Sequence, residues 1–121
     1  MGYHYPKTLR LLNASEFSYV FDRVNNSKAS ISEFTLLARA NGLTHPRLGL
    51  TVPKKQVRKA CNRNRIKRAM KESFRLQQHD IYPADYVVLI RKATQKMTNQ
   101  QINDTLSSLF AKIKQRLSHD S

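Results

Sequence analysis

The segment from Lys54 to Arg75 is the feature that most constrains how this chain of 121 residues folds. It holds ten basic residues and one acid, Glu72, so its local charge is +9 (ten minus one). The basic residues are Lys54, Lys55, Arg58, Lys59, Arg63, Arg65, Lys67, Arg68, Lys71 and Arg75. Such a run is typical of a disordered tail, a solvated helix face or a binding surface.

An apolar stripe runs through the second half of this segment and argues against a tail. At about 100° per residue, Ile66, Met70 and Phe74 fall within about 80° of one another on a helix. The pattern therefore predicts a helix that docks through this side. The opposite side carries Arg65, Arg68, Glu72 and Arg75, whose charged groups we expect to face solvent or a partner.

Like charges recur along this helix at a spacing of four residues. The pairs are Arg63 with Lys67, Lys67 with Lys71, and Lys71 with Arg75. Each such pair destabilises an isolated helix by about 0.2 to 0.5 kcal/mol, so folding alone disfavours the pattern. Because the planar arginine fork also grips phosphate oxygens in pairs, we predict an anion-binding surface. Asn62 and Asn64 fit two roles equally well, RNA contact or a cap at the helix start.

The composition of the whole chain points to a polyanionic partner. Twenty-two Lys and Arg against eight Asp and Glu give a net charge of +14, which nucleic acid or an anionic membrane surface would neutralise. The single cysteine, Cys61, predicts no internal disulfide and no metal site. No run approaches the roughly 18 apolar residues of a membrane-spanning helix, so we expect a cytoplasmic protein without membrane insertion.

Outside the basic segment, the sequence predicts two further helices. Asn13 with Glu16 resembles a capping box, and Phe17, Val20, Phe21 and Val24 follow at helical spacing, which indicates a helix over about 13–24. A second helix closes the chain after a cap at Thr98 or Asn99. Its apolar stripe comprises Ile102, Leu106, Leu109, Phe110, Ile113 and Leu117.

Three segments have the character of strands, and their order sets the fold class. Residues at about 31–40 are rich in β-formers, and residues 85–91 form a short apolar run. In residues 47–52, large apolar side chains occupy every second position. We predict an α+β fold: one domain over 1–121, a two-layer sandwich of about four mixed strands with three helices, in the order α-β-β-β-α-β-α. About ten N-terminal and four C-terminal residues are expected to be flexible.

The stretch "RLGLTVPKKQVRKACNRNRIKRAMKESFR" resembles the signature of the bacterial ribonuclease P protein subunit. Arg63, Asn64 and Arg65 match the Arg-Asn-Arg block of that family, and "LRLLNASEFSYVF" and "DYVVLIRK" appear in the family's order. The resemblance covers nearly the whole chain. It implies an accessory subunit of an endoribonuclease whose RNA subunit, with bound Mg²⁺, removes the 5′ leader of precursor tRNA. It also implies a left-handed β-α-β crossover.

The resemblance further implies two RNA-binding surfaces. The basic segment would contact the catalytic RNA through Arg58, Lys59, Asn62, Arg63, Asn64, Arg65, Lys67, Arg68, Lys71 and Arg75. A cleft for the single-stranded leader would include Phe17, Phe21, Phe34, Leu37, Lys54 and Lys55. The family's strand aromatic falls at Leu37 here, with Phe34 three residues earlier. Phe17 and Phe21 fit a core stripe as well as an exposed stacking platform, so both roles stay open.

Two other classes of function remain as alternatives. One is a stand-alone RNA-binding or ribosomal protein, which shares the charge and the helix. The other is a protein nuclease that cuts without RNA. The acids are scattered without metal-ligand spacing, and His4, His45, His79 and His119 lie in predicted termini and loops, so we predict no catalytic residue, no metal site and no cofactor in this chain. No obligate protein partner is predicted.

Overall fold

The computed structural model describes residues 9–11, 13–22 and 25–119. Three α-helices and four strands occur within these residues, in the predicted order α-β-β-β-α-β-α. The helices are α1 (Ala14–Phe21), α2 (Ala60–Gln77) and α3 (Asn99–His119). The strands are β1 (Ser27–Ser30), β2 (Phe34–Ala40), β3 (Arg47–Thr51) and β4 (Ala84–Ile90), and a 3₁₀ helix follows at Lys92–Lys96.

The four strands form one mixed sheet in the order β1-β2-β4-β3. β2 is antiparallel to both β1 and β4, whereas β3 and β4 are parallel neighbours. Parallel neighbours cannot be joined by a tight turn, so the chain crosses over through α2. The predicted mixed sheet and the α+β class are confirmed, while the left-handed sense of this crossover stays a prediction.

The strand predicted at about 31–40 is shorter, and a separate strand precedes it. β2 begins at Phe34, and β1 pairs with it in a register that places Ala29 opposite Leu36. The segment Ser27–Ser30 was not predicted as a strand because serine, lysine and alanine have little intrinsic preference for strands. It pairs with β2 at the edge of the sheet, where a polar strand is tolerated, and the hydroxyls of Ser30 and Thr35 are hydrogen-bonded (2.6 Å).

The N-terminal part of the chain packs along β3 and then enters α1. Leu11 N donates to Leu48 O (3.1 Å) and Leu9 is buried, so residues 9–11 pack on the sheet. The expected flexibility of the two termini stays a prediction. The Asn13 and Glu16 capping box is confirmed. α1 ends at Phe21, three residues earlier than predicted. Val24, residues 1–8 and residues 120–121 lie outside the described ranges.

The main core lies between one face of the sheet and the helices α2 and α3. The predicted stripe of α2 is confirmed, since Ile66, Met70 and Phe74 are all 0% exposed. Phe74 and Phe110 of α3 meet Tyr86 of β4 in an aromatic cluster, with ring centroids 5.2 to 6.4 Å apart. Burial raises the pKa of the Tyr86 hydroxyl, which donates to Tyr82 O (2.7 Å).

The predicted stripe of α3 is also confirmed, because all six of its apolar side chains are buried. The helix is capped by Thr98 and not by Asn99. Gln101 N donates to Thr98 Oγ1 (3.1 Å), and Thr98 N donates to Gln101 Oε1 (2.8 Å), so a reciprocal capping box fixes its start.

A smaller cluster covers the other face of the sheet. Val20 of α1 packs with Leu11, Leu37 and Val87, and Phe17 lies beside them. Alternate residues of β2 and β4 therefore face two different apolar layers.

Replacing Phe74 with Ala tests whether this docking holds α2 in place. We expect the free energy of unfolding in urea to fall by about 3 to 5 kcal/mol, because a 0% exposed ring leaves a cavity. Leu76→Ala is the matched control on the same helix: its side chain is 61% exposed, and we expect a change of no more than about 0.5 kcal/mol. Equal losses in the two variants would contradict the docking described above.

Candidate nucleic-acid interface

The outward side of α2 and the residues just before it form a basic surface. Because Ile66, Met70 and Phe74 face the core, the exposed polar side chains of residues 58–72 lie on the outer side of α2 and in the turn before it. Six of the polar side chains in residues 58–75 make no hydrogen bond or ion pair with any described residue. One of them is the acid Glu72, and we call the other five the outward row. The outward row comprises Arg58, Lys59, Asn64, Lys67 and Arg68.

Two arginines of the same segment behave differently. Arg63 donates to Val57 O (3.0 Å) and Arg58 O (2.7 Å). Arg65, expected to face solvent or a partner, instead turns its guanidinium toward the start of α3, where it donates to Met97 O (3.2 Å) and Gln95 O (3.1 Å). The Arg-Asn-Arg block therefore alternates between inward and outward side chains.

Neither asparagine of the segment caps the helix. The N-cap residue of α2 is Lys59, which makes no side-chain capping bond. Asn62 donates to Gln95 Oε1 (3.0 Å), and Asn64 belongs to the outward row. The capping role considered for Asn62 and Asn64 is therefore wrong, because the helix starts too early for either of them.

Positive charge is crowded at the flank of α2 that faces the N-terminal segment. Partial burial lowers the pKa of Lys71, and the charges of Lys67 and Arg10 lower it further. Arg75, like Lys71, is half-buried. A polyanion placed against this flank would relieve the repulsion.

The opposite face of the sheet contains a groove of about 580 Å³, which we call the sheet groove. Its lining residues are Phe21, Asn26, Lys28, Thr35, Leu37, Leu89 and Arg91. The floor is apolar, because Leu37 of β2 and Leu89 of β4 both face away from the main core. Lys28 and Arg91, both exposed, place positive charge at its rim. This combination suits an unpaired nucleic-acid strand.

The structure brings together only some of the residues predicted for a cleft. Phe21, 40% exposed, and Leu37 line the sheet groove. Phe17 is half-buried and packs so closely on Gly49 that a Cβ there would lie 2.5 Å from its ring. Phe34 is 0% exposed in the main core on the other face, so its assignment to the cleft is wrong: it stands an odd number of residues from Leu37.

Lys54 and Lys55 lie in an exposed turn just after β3. Gln56 of the same turn accepts a hydrogen bond from Lys92 N (2.9 Å), one residue beyond Arg91 of the sheet groove. The turn is thus tied to the chain that leaves the groove.

Two groove residues, Lys28 and Arg91, were not predicted from the sequence. Lys28 lies in the unpredicted strand β1. Arg91 was within a predicted strand, and its spacing of two from Leu89 was a usable signal for the shared face.

A polar network fixes α1 over this face of the sheet. Arg47 donates to both carboxylate oxygens of Asp85 (2.8 Å each) and to Glu16 of α1 (2.8 Å). The hydrogen bonds that Arg47 donates to Asp85 are the main cause that raises the pKa of Arg47. Asp85 is almost fully buried and also accepts from Asn41 (2.9 Å). Sequence patterns did not indicate this network, because its members are far apart along the chain.

Within residues 9–11, 13–22 and 25–119, no three His, Cys, Asp or Glu side chains are grouped in a way that could hold a metal ion. In the same ranges, no helix has the length and apolar character needed to cross a membrane.

Comparison with known proteins identifies the family of this chain. Residues 5–114 match the family model described as Ribonuclease P. The chain belongs to the ribonuclease P protein family. Membership implies a role in the endoribonuclease complex that processes tRNA.

The ribonuclease P protein component of Photorhabdus laumondii is 47% identical over 106 residues, which are 88% of this chain and 87% of that protein. That of Aliivibrio fischeri is 42% identical and covers 93% of this chain and 95% of its own.

Solved structures of ribonuclease P proteins share the fold. A mutant of the Staphylococcus aureus protein superposes with a TM-score of 0.81 at 29% identity, over 89% of this chain and 90% of that one. The Thermotoga maritima protein gives a TM-score of 0.75 at 29% identity, over 86% of this chain and 96% of its own. The predicted family resemblance is confirmed.

Replacing Arg47 with Ala tests the network under α1. We expect the free energy of unfolding to fall by about 3 kcal/mol, since the buried Asp85 carboxylate would keep only Asn41 as a partner. Arg39→Ala, on strand β2, is the control. Its ion pair with Asp22 (3.4 Å) is partly exposed, and its guanidinium lies 3.9 Å from the Tyr19 ring centroid, so we expect about 1 kcal/mol. Urea unfolding at neutral pH measures both, and a larger loss for Arg39→Ala would contradict this ranking.

Proposed function

We propose that this chain is the protein subunit of ribonuclease P. It binds the catalytic RNA through α2 and the 5′ leader of precursor tRNA in the sheet groove. In doing so it assists Mg²⁺-dependent removal of the leader in the bacterial cytoplasm. The observation that carries this proposal is a docked helix whose outward row has no partner within the described chain, in a protein of the ribonuclease P family.

The outward row supports binding to a folded RNA. Four of its five members are cations, and none is neutralised by a described acid. Asn64, the fifth, can reach phosphate, ribose hydroxyls or base edges. Because Asn64, Lys67 and Arg68 are carried by a helix whose other side is buried, their backbone positions are fixed before RNA binds and only the side chains have to be ordered.

The sheet groove supports binding to a single strand. Unpaired bases stack on aromatic rings and apolar surface, and Phe21, Leu37 and Leu89 provide both. The rim cations, Lys28 and Arg91, suit the phosphates of the same strand. A duplex offers no exposed base faces, so the groove favours the leader over the base-paired body of tRNA.

The two surfaces together account for assistance without catalysis by this chain. The catalytic RNA and its substrate are both polyanions, and a protein of charge +14 reduces their mutual repulsion. The Mg²⁺ that the family implies supplies charge stabilisation and activated water when bound. Among the described residues no cluster fits that ion, and we propose that the RNA holds it.

Reconstitution tests this proposal against a stand-alone RNA-binding protein and against a protein nuclease. The protein is freed of bound RNA with a nuclease and then purified from that nuclease. It is added to pure catalytic RNA at low Mg²⁺, and cleavage of precursor tRNA at the 5′ end of the mature sequence is measured. We expect the protein to restore cleavage and to have no activity alone. Binding without restored cleavage would favour the stand-alone RNA-binding protein, and cleavage by the protein alone would favour the nuclease.

Replacing Phe21 with Ala tests the leader assignment. Loss of a stacking ring is worth about 1 to 3 kcal/mol per base, so we expect the holoenzyme to bind precursor tRNA about 5- to 150-fold more weakly, while mature tRNA binding stays unchanged. Leu76→Ala removes an exposed apolar side chain from α2 and is the matched control, with no expected effect on either RNA. An equal loss for precursor and mature tRNA would remove the leader from the sheet groove.

A further inference from the structure

We propose that Arg63 and Arg65, the two arginines of the Arg-Asn-Arg block, are positioning residues and not RNA contacts. They hold the segments on either side of α2 and thereby place the outward row, which makes the contacts. This inference rests on the proposed function, because it divides the residues of the proposed RNA-binding surface into two groups.

The guanidinium of Arg65 is engaged on both of its terminal nitrogens. One donates to Met97 O (3.2 Å) and Asn99 Oδ1 (3.1 Å), and the other donates to Gln95 O (3.1 Å). The three acceptors belong to the end of the 3₁₀ helix and the start of α3. An RNA phosphate would have to replace all three bonds, and the backbone carbonyls at Gln95 and Met97 would lose a donor.

Arg63 performs the corresponding role before the helix. Its guanidinium donates to the carbonyl oxygens of Val57 and Arg58, at 3.0 and 2.7 Å. Val57 is 0% exposed and packs in the main core, so this bond fastens the short non-helical segment 57–59 to the first turn of α2. Two members of the outward row, Arg58 and Lys59, lie in that segment and take their positions from it.

A second side chain supports the same docking from α2. Asn62 donates to Gln95 Oε1 (3.0 Å), and Gln95 Nε2 in turn donates to Lys92 O (3.2 Å) and Gln56 O (3.4 Å). Gln95 is therefore joined to α2 by its side chain through Asn62 and by its backbone through Arg65. Such a doubly held contact fixes the angle at which α2 meets the segment 92–98.

The held segment also borders the sheet groove. It begins one residue after Arg91, a lining residue, and Thr94 Oγ1 anchors it to Glu33 O (2.7 Å). Arg65 thus joins the helix that carries the outward row to the chain that leaves the groove. This link accounts for the inward orientation of Arg65 within an otherwise outward-facing basic surface.

Arg68 provides the contrast on which a test can be built. It lies three residues after Arg65 on the same helix, is exposed, and makes no hydrogen bond or ion pair with any described residue. An arginine that neutralises an RNA phosphate releases counterions, and one that only holds the protein together does not. The salt dependence of RNA affinity therefore distinguishes the two roles where loss of affinity alone does not.

The experiment measures the dissociation constant for the catalytic RNA at several salt concentrations in the full chain, well below the melting temperature. For Arg68→Ala we expect the slope of log affinity against log salt to become shallower by about 0.7 to 0.9, with an unchanged melting temperature. For Arg65→Ala we expect an unchanged slope, a lower melting temperature, and an affinity about 3- to 10-fold weaker at every salt concentration.

Two conservative variants keep the test decisive if Arg65→Ala fails to fold. Gln retains hydrogen-bond donors without the charge, and Lys retains the charge without the fork. A positioning role predicts that Arg65→Gln recovers part of the affinity and Arg65→Lys does not, whereas a phosphate contact predicts the reverse. We expect the same difference at position 63: Arg63→Gln recovers part of the RNA affinity, and Arg63→Lys does not.

Three results would overturn the inference. The first is a slope for Arg65→Ala that becomes as shallow as that for Arg68→Ala. The second is a folded Arg65→Ala variant with the affinity of the unaltered chain, which would make the residue merely structural. The third is an unaltered chain that does not bind the RNA, which would overturn the proposed function as well. The first two leave the proposed function intact, so the two failures are distinguishable.

Discussion

The docking of α2 through Ile66, Met70 and Phe74 is the constraint on which the rest of the structure depends. Its apolar stripe is completely buried against the sheet, which leaves the many cations of the helix only its flanks and outer side. Burial of these side chains offsets the like-charge repulsion along the helix, since each buried apolar side chain stabilises by about 1.5 to 3 kcal/mol and each like pair costs only a few tenths. A helix that is unfavourable by itself becomes a rigid carrier of positive charge.

The sheet separates two surfaces of different chemistry. The helices α2 and α3 cover one face, and α1 covers only part of the other, so an apolar groove with a cationic rim stays open beside it. Alternation along β2 and β4 produces both layers from the same strands. The segment 91–99 passes from the groove to α3 and is held by Arg65, so it joins the groove to the helix that carries most of the outward row.

Local patterns predicted the helices well and the site less well. The stripes of α2 and α3 and the capping box at Asn13 follow from spacing within a few turns, and the structure has them as predicted. The edge strand at Ser27–Ser30 has no such pattern, because its pairing with β2 is what makes it a strand. Phe34 was assigned to the wrong face because its aromatic ring was weighed above its position. Residues three apart on a strand face opposite sides of the sheet, so Phe34 and Leu37 cannot share a face.

The sequence by itself determined that this chain carries a docked basic helix, because periodicity and charge are local properties that do not need coordinates. Its resemblance to the ribonuclease P protein family then indicated RNA as the partner. Only the tertiary structure decided which cations are available. Arg65 and Arg68 have the same side chain and were predicted to share the outer side of α2. Yet Arg65 donates to backbone carbonyls 30 and 32 residues away along the chain, and Arg68 donates to none. Hydrogen bonds to distant backbone depend on how the chain returns to the helix, and no spacing along the sequence encodes that return.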